Sequence, residues 1–334
     1  MSPLCLLTLL LSVAPSAAAQ APDTPSAAAP LPAAPDTASN PTFSDRVNEA
    51  IAIRQRGDVE AARALLLALE PMVPDAERAW YLYQLGICED LAHRPAEARV
   101  LYEQAIALHG EGALDARYRR VLVLEELGET DAALAEIRAI DLVKGLSDDD
   151  ELIVALQRGM SELDAGRRRA GVRRIQAALD ESEGTNRHNY VRAKARFFLA
   201  RALLDEANAL HLRGPEKRVV RNLKGRAERI KAAEAQIIAL ARLQEPEWVL
   251  ASLIAFGDAH ALLADELATS PPPKKLSAAE AEVYRRSVAE KAENVRTKAF
   301  HAYDQGVALA ARLAWESPRV GELTARRNAL AATR

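Results

Sequence analysis

From Phe43 onward apolar residues recur at steps of three and four, the period of an amphipathic helix, and one short phrase returns four times before Glu183. Each phrase has a turn residue, a small residue five positions later, and apolar or small residues four and seven positions beyond that. The copies read Gly57/Ala62/Leu66/Leu69, His93/Ala98/Tyr102/Ala105, Gly128/Ala133/Ile137/Ile140 and Gly166/Gly171/Ile175/Ala178, spaced by 36, 35 and 38 residues. That spacing is too long for one helix and too short for a domain, so each unit is expected to be a helical hairpin stacked on the next. A small residue on the first helix (Ala50, Gly86, Gly159) is expected to face one on the second (Ala62, Ala98, Gly171). Leu66, Tyr102, Ile137 and Ile175 would then fill the gap to the next hairpin, with Ala133 holding the seam position in the third copy and Val121 departing from the rule. Ser44, Asp58 and Thr130 stand where helices need caps, and Gly57 where the first helix ends.

The clearest copy, from Ala79 to about Glu111, carries Leu85-Gly86, then Ala98-x3-Tyr102, then Ala105, and on these residues it resembles the tetratricopeptide repeat family. Leu82 and Glu89 depart from the family's usual Trp and Tyr. The resemblance implies an all-α solenoid of hairpins over 43–185 with a protein-binding, non-catalytic role.

Beyond the fourth copy the helical runs lengthen. Asn189 to Leu212 and Glu216 to Leu243 flank Gly214-Pro215 and predict a long hairpin over 186–245, with Tyr190, Phe197 and Leu204 on one stripe and Leu223, Ile230 and Ile237 at seven-residue spacing on the other. Over 246–334, Pro246 opens a helix carrying Phe256-Gly257 in the place of a Leu-Gly pair, Pro271-Pro272-Pro273 ends it, and Ser277-x-x-Glu280 is a capping box for a run to about Trp315. Ser317-Pro318 opens a last helix. The order Glu247-Trp248, Phe256-Gly257, Leu276-Ser277, Tyr284, Ala299 and Tyr303 is similar to the C-terminal part of tetratricopeptide envelope proteins of gliding myxobacteria and their relatives. That resemblance implies a structural role in a trans-envelope assembly.

The first residues change the picture of the address. Leu4 to Val13 is a short apolar run followed by Pro15-Ser16-Ala17-Ala18-Ala19, which predicts an export signal (1–19) cut after Ala19 and no transmembrane helix thereafter. The segment 20–42, rich in Pro, Ala, Ser and Thr, reads as a disordered linker. The expected location is periplasmic or envelope-associated. Once the leader is removed Cys88 is the sole cysteine, so no internal disulfide can form, and it reads as a buried small hydrophobe.

A net charge of −3 hides a dipolar chain. Residues 43–166 carry 13 basic and 25 acidic side chains, and residues 167–231 carry 18 and 7. The basic block, with Arg167 to Arg169, Arg173, Arg174, Arg192, Lys194, Arg196, Lys217, Arg218, Arg221, Lys224, Arg226 and Arg229, gathers cations on helix faces. Arg218, Arg221 and Lys224 are the candidate partner-binding residues. Export argues against nucleic acid, and with aromatics at 4% a base-stacking platform is not expected.

Asp148-Asp149-Asp150-Glu151 after Ser147 reads as a helix start rather than a calcium loop. Six scattered histidines join no metal motif; His260 with Asp258 or Glu266 reads as a helix-surface pair. No nucleophile elbow, phosphate loop or dinucleotide fingerprint is present, so no catalytic residue, cofactor or metal is expected. The leading reading is an exported adaptor that binds envelope proteins. A docking module for anionic lipid or cell-wall polymer is the alternative, and a hydrolase with carboxylates converging from distant positions is a third, remote reading.

Overall fold

The computed structural model describes residues 42–185, 187–273 and 275–332, and among them there are thirteen α-helices, two short 3-10 turns and no strand. The expected signal peptide and most of the expected linker lie outside the described residues. The described chain divides into two compact units, 42–144 and 145–332.

In the first unit, α1 (Phe43–Gln55), α2 (Val59–Leu69), α3 (Arg78–Leu91), α4 (Pro95–Ala107), α5 (Ala113–Glu126) and α6 (Thr130–Asp141) form three consecutive hairpins. Thr42, not Ser44, caps α1. Its hydroxyl accepts from the Asp45 amide at 3.2 Å while Asp45 Oδ2 accepts from the Thr42 amide at 2.9 Å, and Ser44 instead donates to Glu77. Asp58 caps α2 as expected, accepting from the Ala61 amide at 3.0 Å. Thr130 is the first residue of α6, whose cap position is Glu129 and has no side-chain hydrogen bond. Each turn between paired helices passes through the left-handed region, at Gly57 (φ +94°), His93 (+57°) and Gly128 (+74°), so His93 holds a backbone shape that favours glycine.

The contact that sets the second hairpin is closer than the sequence suggested. Gly86 lies under the ring of Tyr102, not merely opposite Ala98: a Cβ added at Gly86 would sit 2.5 Å from Tyr102 Cε1. Tyr102 therefore fills its own hairpin and is fully buried with Ala98 and Ala105, while its hydroxyl, at 3.4 Å, reaches Asp90 on α3. Leu66, Leu69, Leu85 and Cys88 complete this core, and burial raises the Cys88 thiol.

The second unit contains α7 (Asp148–Asp164), α8 (Arg168–Glu181), α9 (Asn189–Asn208), α10 (Glu216–Ala241), α11 (Pro246–Ala268), α12 (Ala278–Leu313) and α13 (Pro318–Ala332). The fourth repeat copy, α7 with α8, thus packs with the long helices, α7 resting on α9. Here two glycines do meet: a Cβ on Gly171 would lie 2.6 Å from the Gly159 carbonyl, and one on Gly159 would lie 2.5 Å from Ile175 Cγ1. Ser147 with Asp150 and Ser277 with Glu280 form the capping boxes of α7 and α12. Helices α9 and α10 make the predicted long hairpin, with Leu204, Ile230 and Ile237 buried, but Tyr190 and Leu223 are exposed because each lies near the start of its helix, before the neighbours close over it.

The hairpin of α11 and α12 repeats the geometry of α3 and α4. A Cβ at Gly257 would collide with the ring of Tyr303, which follows Ala299 by four positions, and the Tyr303 hydroxyl donates to Asp258 Oδ1 at 2.7 Å. Among the described helices, α11 is the one long and apolar enough to cross a membrane by length and composition. Its apolar window is 72% buried, and the helices packed on α11 are α9, α10, α12 and α13, the surroundings of a core helix.

Two substitutions separate close approach from ordinary helix propensity. Gly257→Ala is expected to lower stability by about 1–3 kcal/mol because the Tyr303 ring has to shift. Gly321→Ala, in α13 with nothing within 4 Å of the new methyl, is expected to raise it by about 0.5–1 kcal/mol. Urea denaturation followed by circular dichroism checks both; equal effects at the two sites would contradict the packing described.

Candidate interaction surface

The packing residues singled out from sequence, Ala62, Leu85, Gly86, Ala98, Tyr102, Ala105, Ala133 and Gly171, are all buried and form the seams of the hairpins. They position a surface and are not themselves available to a partner.

The surface they position in 42–144 is built from the first helices of the three hairpins. Helix α3 touches both α1 and α5, so three first helices lie side by side. Arg54 of α1 reaches α3, donating from Nη2 to Gln84 Oε1 at 2.9 Å and from Nη1 to the Gln84 carbonyl at 3.2 Å. Arg119 of α5 lies 3.6 Å from Asp90 of α3 and hydrogen-bonds Tyr83. Burial raises the Tyr83 phenol, Asp115 adds to that, and the nearby positive charges of Arg119 and Arg54 oppose it. Trp80, one turn before Tyr83, is partly exposed, and Gly112 approaches both. The result is a half-buried aromatic and polar face, Arg54, Trp80, Tyr83, Asp90 and Arg119, with hydrogen-bonding groups held by neighbours and still reachable from solvent.

None of these five was singled out from sequence. The available signal was their position: they lie on first helices, and Tyr83 and Asp90 border the Gly86–Tyr102 seam, at its solvent-facing edge. Apolar periodicity reports the buried stripe and is silent on this edge.

Buried carboxylates brace the hairpins. Glu89, three residues after Gly86, is held by Arg63 at 2.6 Å and by Arg94; Glu162, three residues after Gly159, accepts from Arg174 at 3.2 Å. Burial alone would raise Glu89, but the hydrogen bonds and charges of Arg63 and Arg94 outweigh it and hold the carboxyl below its ordinary range. The equivalent position after Gly257 is His260. It is buried and not a surface partner of Asp258 or Glu266 as expected from sequence, because α11 is covered on most sides; its Nδ1 lies 2.9 Å from the Phe256 carbonyl. Burial pushes its pKa down to about 4, with Lys298 and Arg226 adding to the effect.

The basic block is less uniform than its sequence implied. Arg192 and Arg226 are buried and leave the expected face: Arg192 donates to the Thr185 carbonyl at 2.6 Å, and Arg226 joins Glu266 at 3.0 Å and Asn208 at 3.3 Å. Arg168 and Arg229 pair with Glu206, and Arg174 with Glu162. Arg218, Arg221 and Lys224 stay exposed on the first turns of α10. Asp149 of the acidic run binds Arg187 and His188 at the start of α7, and among the described residues no group of three or more His, Cys, Asp or Glu side chains gathers as a metal site would require.

The hairpins are tetratricopeptide-like. No family model matches the chain, and no curated protein matches it. Among solved structures it is similar to a tetratricopeptide repeat protein from Parabacteroides merdae ATCC 43184, at 16% identity and TM-score 0.42 over 85% of this chain and 98% of that one. It is also similar to a TPR repeats protein from Bacteroides fragilis NCTC 9343 (13%, TM-score 0.33, 88% of this chain and 100% of that one) and to the RS-1 ArsTM double mutant of MamA (16%, TM-score 0.41, 58% and 97%).

His260 gives a signed pH dependence. Its folded pKa lies below the ordinary 6.5, so the fold favours neutral imidazole; stability is level above about pH 6.5 and falls as the pH drops towards about 4, by up to roughly 3 kcal/mol, as the unfolded chain takes up a proton the fold refuses. Replacing it by Asn is expected to flatten the melting profile between pH 6.5 and 4. An unchanged slope in that variant would show that His260 is not the titrating group.

Proposed function

We infer that the chain is a protein-interaction scaffold that holds a polypeptide partner on the first-helix face of 42–144. The observation that carries this is the bridging of three successive first helices by Arg54–Gln84 and Asp90–Arg119 around Tyr83, which fixes aromatic area and hydrogen-bonding groups in advance and so lowers the entropy lost on binding. Tyr, Trp and Arg are also the side chains that dominate protein-binding hot spots. A face presenting a few such anchors with fixed hydrogen-bonding partners suits an extended or helical segment of another protein.

The address proposed is the cell envelope after export, supported by the apolar run Leu4 to Val13 and the small residues up to Ala19. There the scaffold would belong to a trans-envelope assembly, a role supported by the sequence likeness of its C-terminal part to myxobacterial envelope proteins. A role without catalysis of its own accords with the scaffold reading.

Affinity capture from crosslinked native cells with mass spectrometry is the test. The full chain is expected to retain specific proteins, and Trp80→Ala/Arg119→Ala to lose most of them, on the order of ten-fold or more, with helicity unchanged. Equal recovery by the wild-type chain and the variant would overturn the assignment of the face. Recovery of cytoplasmic proteins alone, with an intact Met1, would overturn the address.

A further inference from the structure

We propose that the first turns of α10, with Arg213 just before them, form a second docking surface that binds an anionic phospholipid bilayer. Arg213, Lys217, Arg218, Arg221 and Lys224 are all exposed, and among the described residues none has an ion-pair partner. Elsewhere in the unit many arginines are spent on carboxylates: Arg168, Arg174, Arg187, Arg201, Arg226, Arg229, Arg296, Arg319, Arg326 and Arg327 are each matched to one, whereas the stretch from Arg213 to Lys224 gathers five exposed, unmatched cations within twelve residues.

Their arrangement identifies the partner. The buried stripe of α10 begins at Arg226 and continues through Ile230, Ala233 and Ile237. At about 100° per residue, Lys217, Arg221 and Lys224 fall within roughly 30° of the direction opposite that stripe and Lys231 within roughly 50°, so they form one outward ridge with Arg218 on its flank. Val220 sits on the other flank, 61% exposed. A convex ridge of cations can touch a flat anionic surface along its whole length at once, whereas an acidic peptide would need walls to enclose it. Exposed Val220 adds apolar area at the depth where headgroups meet acyl chains. Glu228, within the ridge, marks where the favourable stretch ends, so the cations up to Lys224 carry the interaction.

The test uses the full chain and co-sedimentation with vesicles of phosphatidylcholine alone or of phosphatidylcholine mixed with phosphatidylglycerol. Binding is expected only to the mixed vesicles, and it is expected to fall as salt rises from about 0.1 M to about 1 M and the screening length shortens from about 10 Å to about 3 Å. Arg218→Glu/Arg221→Glu is expected to weaken binding at least ten-fold, by about 1 kcal/mol for each cation removed and more for each charge reversed. Arg169→Glu/Arg173→Glu, on exposed positions of α8 with the same change in net charge, is expected to leave it nearly unchanged. Absence of binding to mixed vesicles overturns the proposal, as does equal loss in the two double variants, which would mean a response to overall charge. Binding to polyglutamate that depends on Arg218 and Arg221, without vesicle binding, would make the ridge a protein-docking surface and overturn the lipid assignment. Because Trp80 and Arg119 are not part of this surface, their variant keeps vesicle binding, so failure here and failure of the scaffold reading are distinguishable.

Discussion

The packing of a tyrosine ring directly onto a glycine is the constraint on which both units depend. At Gly86 and Tyr102, and again at Gly257 and Tyr303, the first helix gives up its side chain so that an aromatic ring of the second can lie on its backbone. Any larger residue at these glycines has to displace a fully packed ring. The same geometry carries each hydroxyl to a carboxylate of the first helix, Asp90 or Asp258, so one side chain both fills the seam and ties its rim. Once the hairpins are closed in this way, the first helices of 42–144 lie beside one another and their remaining stripe becomes a shared face.

Charge takes second place in building the fold but first place in dividing its surface. Glu89 and Glu162 stand at the same step after a packing glycine and are each held by arginines, which replaces the hydration they lose. Arg226, fully buried, donates from its two terminal nitrogens to Glu266 and Asn208 and ties the end of α9 to the end of α11. Where arginines do this structural work their charge is spent inside the unit. In the first turns of α10 it is not, and net charge by sequence block cannot tell these two populations apart.

Much of the fold was legible because close packing of helices needs small residues at fixed intervals. The Leu85-Gly86, Ala98 and Tyr102 spacing, the Gly257 and Tyr303 spacing, the turn at His93 and the box at Ser277 were all readable from the chain. Register errors arose where two candidates lay within one turn, as with Thr42 and Ser44, or Glu129 and Thr130, since local hydrogen bonding decides between them. The candidate face was not legible, because Arg54, Tyr83 and Arg119 are unrelated in sequence and become neighbours only after three hairpins have stacked. His260 was misplaced for a similar reason: its helical neighbours suggested a surface pair, while four other helices packed on α11 decide its burial.

The central claim is that the first-helix face of 42–144 is the side that meets a partner. Site-specific photocrosslinking in native cells tests it most directly, with the reactive side chain placed at Asp115, exposed beside Tyr83 on α5, or at Val100, exposed on the second helix α4. Discrete crosslinked protein products from position 115 and none from position 100 are the expected result. Products from position 100 alone would place the partner on the second helices and contradict the account.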